Sequence, residues 1–317
     1  MAAVALVSSH SSRLYFGLAC SVMASCMFAF LPWYIHQFPL NENSGNWLAA
    51  QRIVWSCLLM FVGLACFKQL PLLIRHMANW RAWPRLMLAA VLVGLQFWLF
   101  IWAPANGQTL PVALGYFSLP LVLVLVGRFV YKEQLSSLQW VSVTVAAVGV
   151  AYAYVMADGL SWIVLLVALG YPLYFMLRRK YPLPSHIAFT IDNLMLLPLA
   201  CAYLLMGDGV SEAQSQLSNL YNYAPWLYYF GLGVAGTIPM LLFLLASNYL
   251  PLSLFGLMGY LEPVLVFSVG WLLGERLSPE QWPTYILIIF ALVLLAIDGL
   301  RRGVRQTASR KKLPKAC

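Results

Sequence analysis

The sequence predicts an all-α polytopic membrane protein, with ten transmembrane helices in two inverted five-helix repeats. Three observations lead there. The chain of 317 residues is 62% hydrophobic and only 9% charged, whereas a soluble domain carries about a quarter charged residues. Apolar runs recur from end to end, each close to the ~20 residues that cross a bilayer. One phrase is also written twice, as KEQLSSLQW at 132–140 and GERLSPEQW at 274–282, with every match at an offset of 142 residues.

Loop residues cut the chain into ten spans: 13–38, 46–67, 84–105, 110–131, 138–156, 160–178, 186–206, 225–246, 251–273 and 281–299. The first is too long for a signal-peptide core and follows a start, MAAVALVSSHSSR, without a basic leader, so it is expected to remain as a span. The longer gap at 68–83 suits a short interfacial helix, and the gap at 207–224 is polar and neutral to acidic. The six cysteines, at 20, 26, 57, 66, 201 and 317, lie in apolar spans or at the end of the tail, with no spacing that reads as a disulfide framework or zinc site.

The net charge of +9 is placed for membrane orientation rather than for nucleic acid. With the N-terminus inside, 17 of the 19 Lys and Arg residues face the cytoplasm, seven of them in the tail, and only Arg52 and Arg276 face out. Both termini are then expected in the cytoplasm.

The two copies of the phrase follow spans four and nine. An odd number of spans separates them, so they fall on opposite faces, as an inverted repeat requires. LFIWA (99–103) is echoed by LFLLA (242–246), and LPVAL (110–114) by LPLSL (250–254). The expected organisation is a tail at 1–12, a first repeat at 13–156, a second at 157–300 and a basic tail at 301–317.

Two halves of this kind give two states of similar energy, one open to each side, with a substrate site between them near the midplane. The chain has no P-loop, no H-E-x-x-H and no Gly-x-Ser-x-Gly elbow, so neither ATP hydrolysis nor an intramembrane hydrolase is expected, and no cofactor or metal is called for. Prolines at 32, 104, 120, 172, 198, 239 and 263 lie within or near span ends; Pro120 and Pro263 stand 13 and 12 residues before the shared Glu. Each removes a helix hydrogen bond, which suits either a hinge or a tolerated kink.

Charged groups in spans are costly and therefore informative. Glu262, half-way along span nine beside Pro263, suits a substrate ammonium or a coupling proton. Arg52 suits a substrate carboxylate. Asp192 reads equally as a coupling group or as the partner of a basic residue, and His36 as an interface histidine or proton shuttle. Glu133 and Glu275, at span ends, read as helix-end and loop anchors. Among deeper aromatic and polar residues, Trp33, Tyr34, Trp102, Tyr116, Tyr171, Tyr174, Tyr260, Gln96 and Thr237 are candidates to line a cavity for a small cation or zwitterion, against the plainer reading of helix packing.

QRIVWS at 51–56, FWLFIWAPANGQTLPVALGYFSLPLV at 97–122, LMLLP at 194–198, GTIPMLLF at 236–243 and the repeated phrase resemble the EamA type of the drug/metabolite transporter superfamily, and within it the RarD proteins, over nearly all of 13–300. The resemblance implies ten spans in two inverted repeats around a central cavity, and export of small metabolites or drugs across the inner membrane. It places Arg52 at the arginine of an H-R-x-x-W-S pattern and Asp192 where such chains often have Glu. Gln51 in place of His, His36 in place of Lys, and a charge at Glu262 depart from the pattern and point to a specialised substrate, such as an amino acid or an amino-acid-derived metallophore. The expected function is secondary export of a small polar or zwitterionic metabolite by alternating access, with a proton as candidate coupling ion, by a monomer or homodimer. A non-transporting receptor, an importer of the same ligands and a lipid-acting enzyme are the rivals; ligand flux in vesicles separates them.

Overall fold

The computed structural model describes residues 2–36, 44–105, 108–157, 161–205, 225–272 and 279–312. Helices α1 (Ala2–His36), α2 (Ser44–Cys66) and α3 (Leu70–Met77) lead through a 3₁₀ turn (Trp80–Ala82) into α4 (Trp83–Ala105) and α5 (Thr109–Phe129). Then come α6 (Ser137–Met156), α7 (Trp162–Lys180), α8 (Ser185–Leu205), α9 (Pro225–Tyr249), α10 (Leu252–Met258), α11 (Leu261–Leu272) and α12 (Trp282–Lys312). There is no strand among the described residues. Eight helices are long and apolar enough to cross a membrane, and two further apolar stretches, Leu252–Val266 and Trp282–Asp298, are shorter.

Three elements differ from the sequence expectation. Helix α1 begins at Ala2, well before the expected span, and α12 runs on to Lys312 through most of the basic tail. Arg, Lys, Gln and Ala dominate the added stretch of α12 and are good helix formers, so that end has no reason to stop at the membrane boundary. The ninth span is broken in two. The Gly259 amide bonds back to Phe255 O and Gly256 O at 3.1 and 2.9 Å, which tightens and ends α10. Pro263 has no amide to give to the carbonyl four residues earlier, yet suits the first turn of the next helix. The short helix expected between the second and third spans is α3.

The repeated phrase begins helices. Ser136 Oγ accepts the Gln139 amide at 3.1 Å, and Gln139 Oε1 accepts the Ser136 amide at 2.9 Å, a capping box that closes the N-terminus of α6. In the second copy, Gln281 stands just before α12, while Ser278 and Glu275 lie outside the described residues. Glu133, in the first copy, reaches the start of α10. Its carboxylate accepts the Leu252 and Ser253 amides at 2.7 Å each and the Ser253 hydroxyl at 2.5 Å, and Arg179 at the end of α7 donates to it at 3.3 Å. A carboxylate placed on free amides satisfies the donors a helix start leaves open.

The helices pair as α1 with α9 and α11, α2 with α4, α8 and α9, α4 with α7 and α8, α5 with α7 and α10, and α6 with α12. The main core lies at their centre, where Phe175, Phe243 and Phe255 meet with ring centroids 4.6–5.6 Å apart. Helix α5 crosses α10 closely. A Cβ added at Gly256 would stand 2.8 Å from Leu123 Cβ and 2.9 Å from Pro120 O. Because one of those atoms is backbone, Gly256→Val should cost about 1–3 kcal/mol of overpacking and lower the melting temperature in detergent; a melt equal to wild type would contradict so close a crossing.

Candidate functional site

Between the helices lies a cavity of about 30 Å³, lined by residues of α1, α2, α4, α5, α7, α9 and α11. Its polar groups are Arg52, Gln96, Tyr116, Tyr171 and Glu262; Phe28, Leu31, Phe97, Phe100, Leu119 and Phe243 make the rest of the wall.

Arg52 is 4% exposed. Its guanidinium lies 4.2 Å over the Phe97 ring, a favourable cation–π contact. It has room because α9 carries a glycine opposite it: a Cβ at Gly236 would collide with Arg52 Nε. Arg52 forms no ion pair or hydrogen bond with other described residues.

Glu262 enters from the first turn of α11, immediately after the break in the ninth span. The break and Pro263 thus place a carboxylate at a helix N-terminus inside the bundle, where the backbone dipoles favour negative charge. Glu262 likewise has no ion-pair or hydrogen-bond partner among the described residues.

Gln96 supplies a third polar group. Its Nε2 donates to Leu166 O at 3.0 Å, which fixes the amide orientation, since a carbonyl partner requires the NH₂ end. Gln96 Oε1 is buried with no partner among the described residues. Gly170 makes this possible, because a Cβ there would strike Gln96 Nε2. Tyr116 and Tyr171 face each other with centroids 6.5 Å apart. The cavity therefore offers one cation, one anion, one free amide carbonyl and two phenols within an apolar shell.

Other expected site residues lie elsewhere. Asp192 is fully buried and satisfied: Tyr174 Oη donates to it at 2.8 Å, and Arg178 of α7 forms an ion pair with it. It holds α7 to α8 rather than facing the cavity, and Tyr174 is occupied with it. Tyr260, two residues from Glu262, points to the opposite side and packs with Phe117, Ala146, Val150 and Ile288. Thr237 donates to Ser56 Oγ at 2.9 Å and ties α9 to α2. Tyr34 donates to Tyr228 O at 2.8 Å, Trp33 meets Phe30 with centroids 4.5 Å apart, and Trp102 stacks on Trp98 at 4.9 Å. The side chain of His36 lies outside the described residues.

Sequence reasoning missed Gly236, Gly170 and the lining Phe28, Leu31, Phe100, Leu119 and Phe243. These helices are apolar on every side, so periodicity does not separate a cavity face from a lipid face.

Breaking a buried ion pair by removing one partner costs about 3–5 kcal/mol, while replacing both with apolar groups is often neutral. Asp192→Ala should therefore destabilise the protein strongly, and adding Arg178→Met should recover much of the loss. Thermal melts of the single and double variants check this.

The EamA-like transporter family model matches residues 159–297. The chloramphenicol-sensitive protein RarD of Pseudomonas aeruginosa is 39% identical over 291 residues, 90% of this chain and 95% of the relative. An uncharacterized transporter of Haemophilus influenzae is 30% identical over 303 residues, 94% and 99% of the two chains. A solved crystal structure, 16% identical, shares the fold with a TM-score of 0.63, covering 88% of this chain and 96% of its own. With two relatives alike over almost their whole length, the chain belongs to the EamA-like transporter family and is a multi-pass membrane transporter.

Proposed function

We propose that the protein moves a small zwitterion with an apolar side chain, such as an amino acid or a compound made from one, outward across the bacterial inner membrane by alternating access. One observation carries this reading: Arg52 and Glu262 line the same cavity, and neither has a counter-charge among the described residues. Two opposite charges left unpaired in an apolar bundle are costly unless a ligand completes them. A zwitterion does so, with its carboxylate on the planar fork of Arg52 and its ammonium towards Glu262 and Gln96 Oε1. The phenylalanines around them suit an apolar side chain.

The cavity volume supports a moving mechanism. About 30 Å³ holds a water or two, so this conformation is closed around the site, and loading needs helices to part. The pairing of helices supports two inverted halves. Count ten spans, with α3 left out and α10–α11 taken as the ninth, and shift each by five. The pair α1–α9 becomes α7–α4, α2–α9 becomes α8–α4, α5–α7 becomes α10/α11–α1, and α2–α4 becomes α8–α9, all of them present. The pairs α2–α8, α5–α10 and α6–α12 map onto themselves, as pairs on a two-fold axis must. On this reading residues 13–156 and 157–300 are the repeats, both termini are cytoplasmic, and Glu262 is the group able to carry a coupling proton.

Counterflow of a labelled amino-acid panel in proteoliposomes tests the proposal. A charge-assisted hydrogen bond is worth about 1.5–3 kcal/mol, so Arg52→Gln and Glu262→Gln should each slow flux of the accepted amino acid by about ten-fold or more. Arg52→Lys should recover little of it, because a lysine lacks the two-pronged fork. Full-rate flux in both Gln variants, or flux of uncharged solutes alone, would sink the zwitterion assignment. Proton coupling is read separately, as flux driven by a pH gradient in wild type and lost in Glu262→Gln; equal drive in both removes Glu262 from that role.

A further inference from the structure

A second cavity, of about 270 Å³, opens at one end of the bundle between α3, α4, α7 and the connection after α7. His76, Asn79, Arg85, Arg178, Lys180 and Tyr181 are among its walls, and no carboxylate is. We propose that this cleft binds the phosphate of an anionic phospholipid headgroup, a site separate from the transport cavity.

Charge and hydrogen bonding both call for an anion here. The charge of Arg178 is answered by Asp192, but Arg85 and Lys180 have no ion pair among the described residues. Both lean on one ring: the Arg85 guanidinium lies 4.5 Å and the Lys180 ammonium 5.6 Å from the centre of Tyr181. Tyr181 thus brings two solvent-exposed cations to the wall of the cleft, where a phosphate between them would offset their mutual repulsion. Arg178 is 9% exposed, and its Nε–H is a buried donor with no acceptor among the described residues. A phosphate in the cleft supplies acceptor oxygens for all three side chains.

The surroundings favour a lipid over a free anion. Phe67, Ile74, Trp80 and Trp83 are exposed around the same end of the bundle. Helix α3 presents Leu73 inward and Ile74 outward, and Trp83 Nε1 donates to Met77 O at 2.8 Å, holding the indole at the end of α3. Exposed tryptophans and an amphipathic helix beside basic residues mark the headgroup level of a bilayer.

The test uses the full chain purified in detergent, with native mass spectrometry and thermal melts in phosphatidylglycerol, phosphatidylcholine or inorganic phosphate. Phosphatidylglycerol should stay bound and raise the melting temperature; phosphatidylcholine should do neither. Arg85→Gln with Lys180→Gln should weaken phosphatidylglycerol binding at least ten-fold while leaving the lipid-free melt unchanged. Arg75→Gln with Arg81→Gln, which alters two exposed cations outside the cleft, should bind as wild type. Equal retention of phosphatidylcholine, or unchanged binding by the Arg85/Lys180 variant, overturns the site. Inorganic phosphate that displaces the lipid at millimolar concentration, or stabilises alone, overturns the assignment to lipid.

Discussion

A charge inside a bilayer must find a partner in the protein, and that constraint sorts the few charges of this chain. Asp192 is answered by Arg178 and Tyr174, and Glu133 by two backbone amides, a hydroxyl and Arg179. The first ties the consecutive helices α7 and α8 together, and the second ties the chain after α5 to the distant start of α10, so each acts as a structural tie. Arg52 and Glu262 are the exception, since they face a common cavity and no described side chain completes them. The division between tied charges and cavity-facing ones therefore rests on partnership rather than on depth in the membrane.

Glycine and proline make that exception possible. The break at Gly259 and Pro263 turns a continuous ninth span into two helices and brings a carboxylate to the start of the second. Gly236 opens space beside the Arg52 guanidinium, and Gly170 admits the amide of Gln96. The two glycines set the position of a polar group on a neighbouring helix, and Pro263 sets that of the residue beside it on its own helix. The same economy governs the α5–α10 crossing, where Gly256 lies against the carbonyl of Pro120.

The site is only partly legible in the sequence. Arg52, Glu262, Gln96, Tyr116 and Tyr171 stand out there as polar or aromatic groups too deep to be idle, and all five line the cavity. Asp192 carries the same signal and has a different place, because nothing in FTIDNLMLLP announces that Arg178 lies across from it. Tyr260 stands out for its nearness to Glu262, yet it lies in the break before α11 rather than on that helix, and it packs with Phe117, Ala146, Val150 and Ile288 instead. The phenylalanines of the wall carry no signal at all, since on helices without a polar face a cavity-lining Phe reads like a lipid-facing one.

By itself the sequence determined that this is a helical membrane protein, where most of its helices run, and which family it belongs to. Those properties depend on composition, run length and motifs, which are local and additive along the chain. Tertiary structure decided which buried charges are mutually satisfied and which are left facing the cavity. Partnership between side chains is a matter of distance across helices, and helix rotation, Gly-controlled spacing and the break in the ninth span set those distances only once the bundle is assembled.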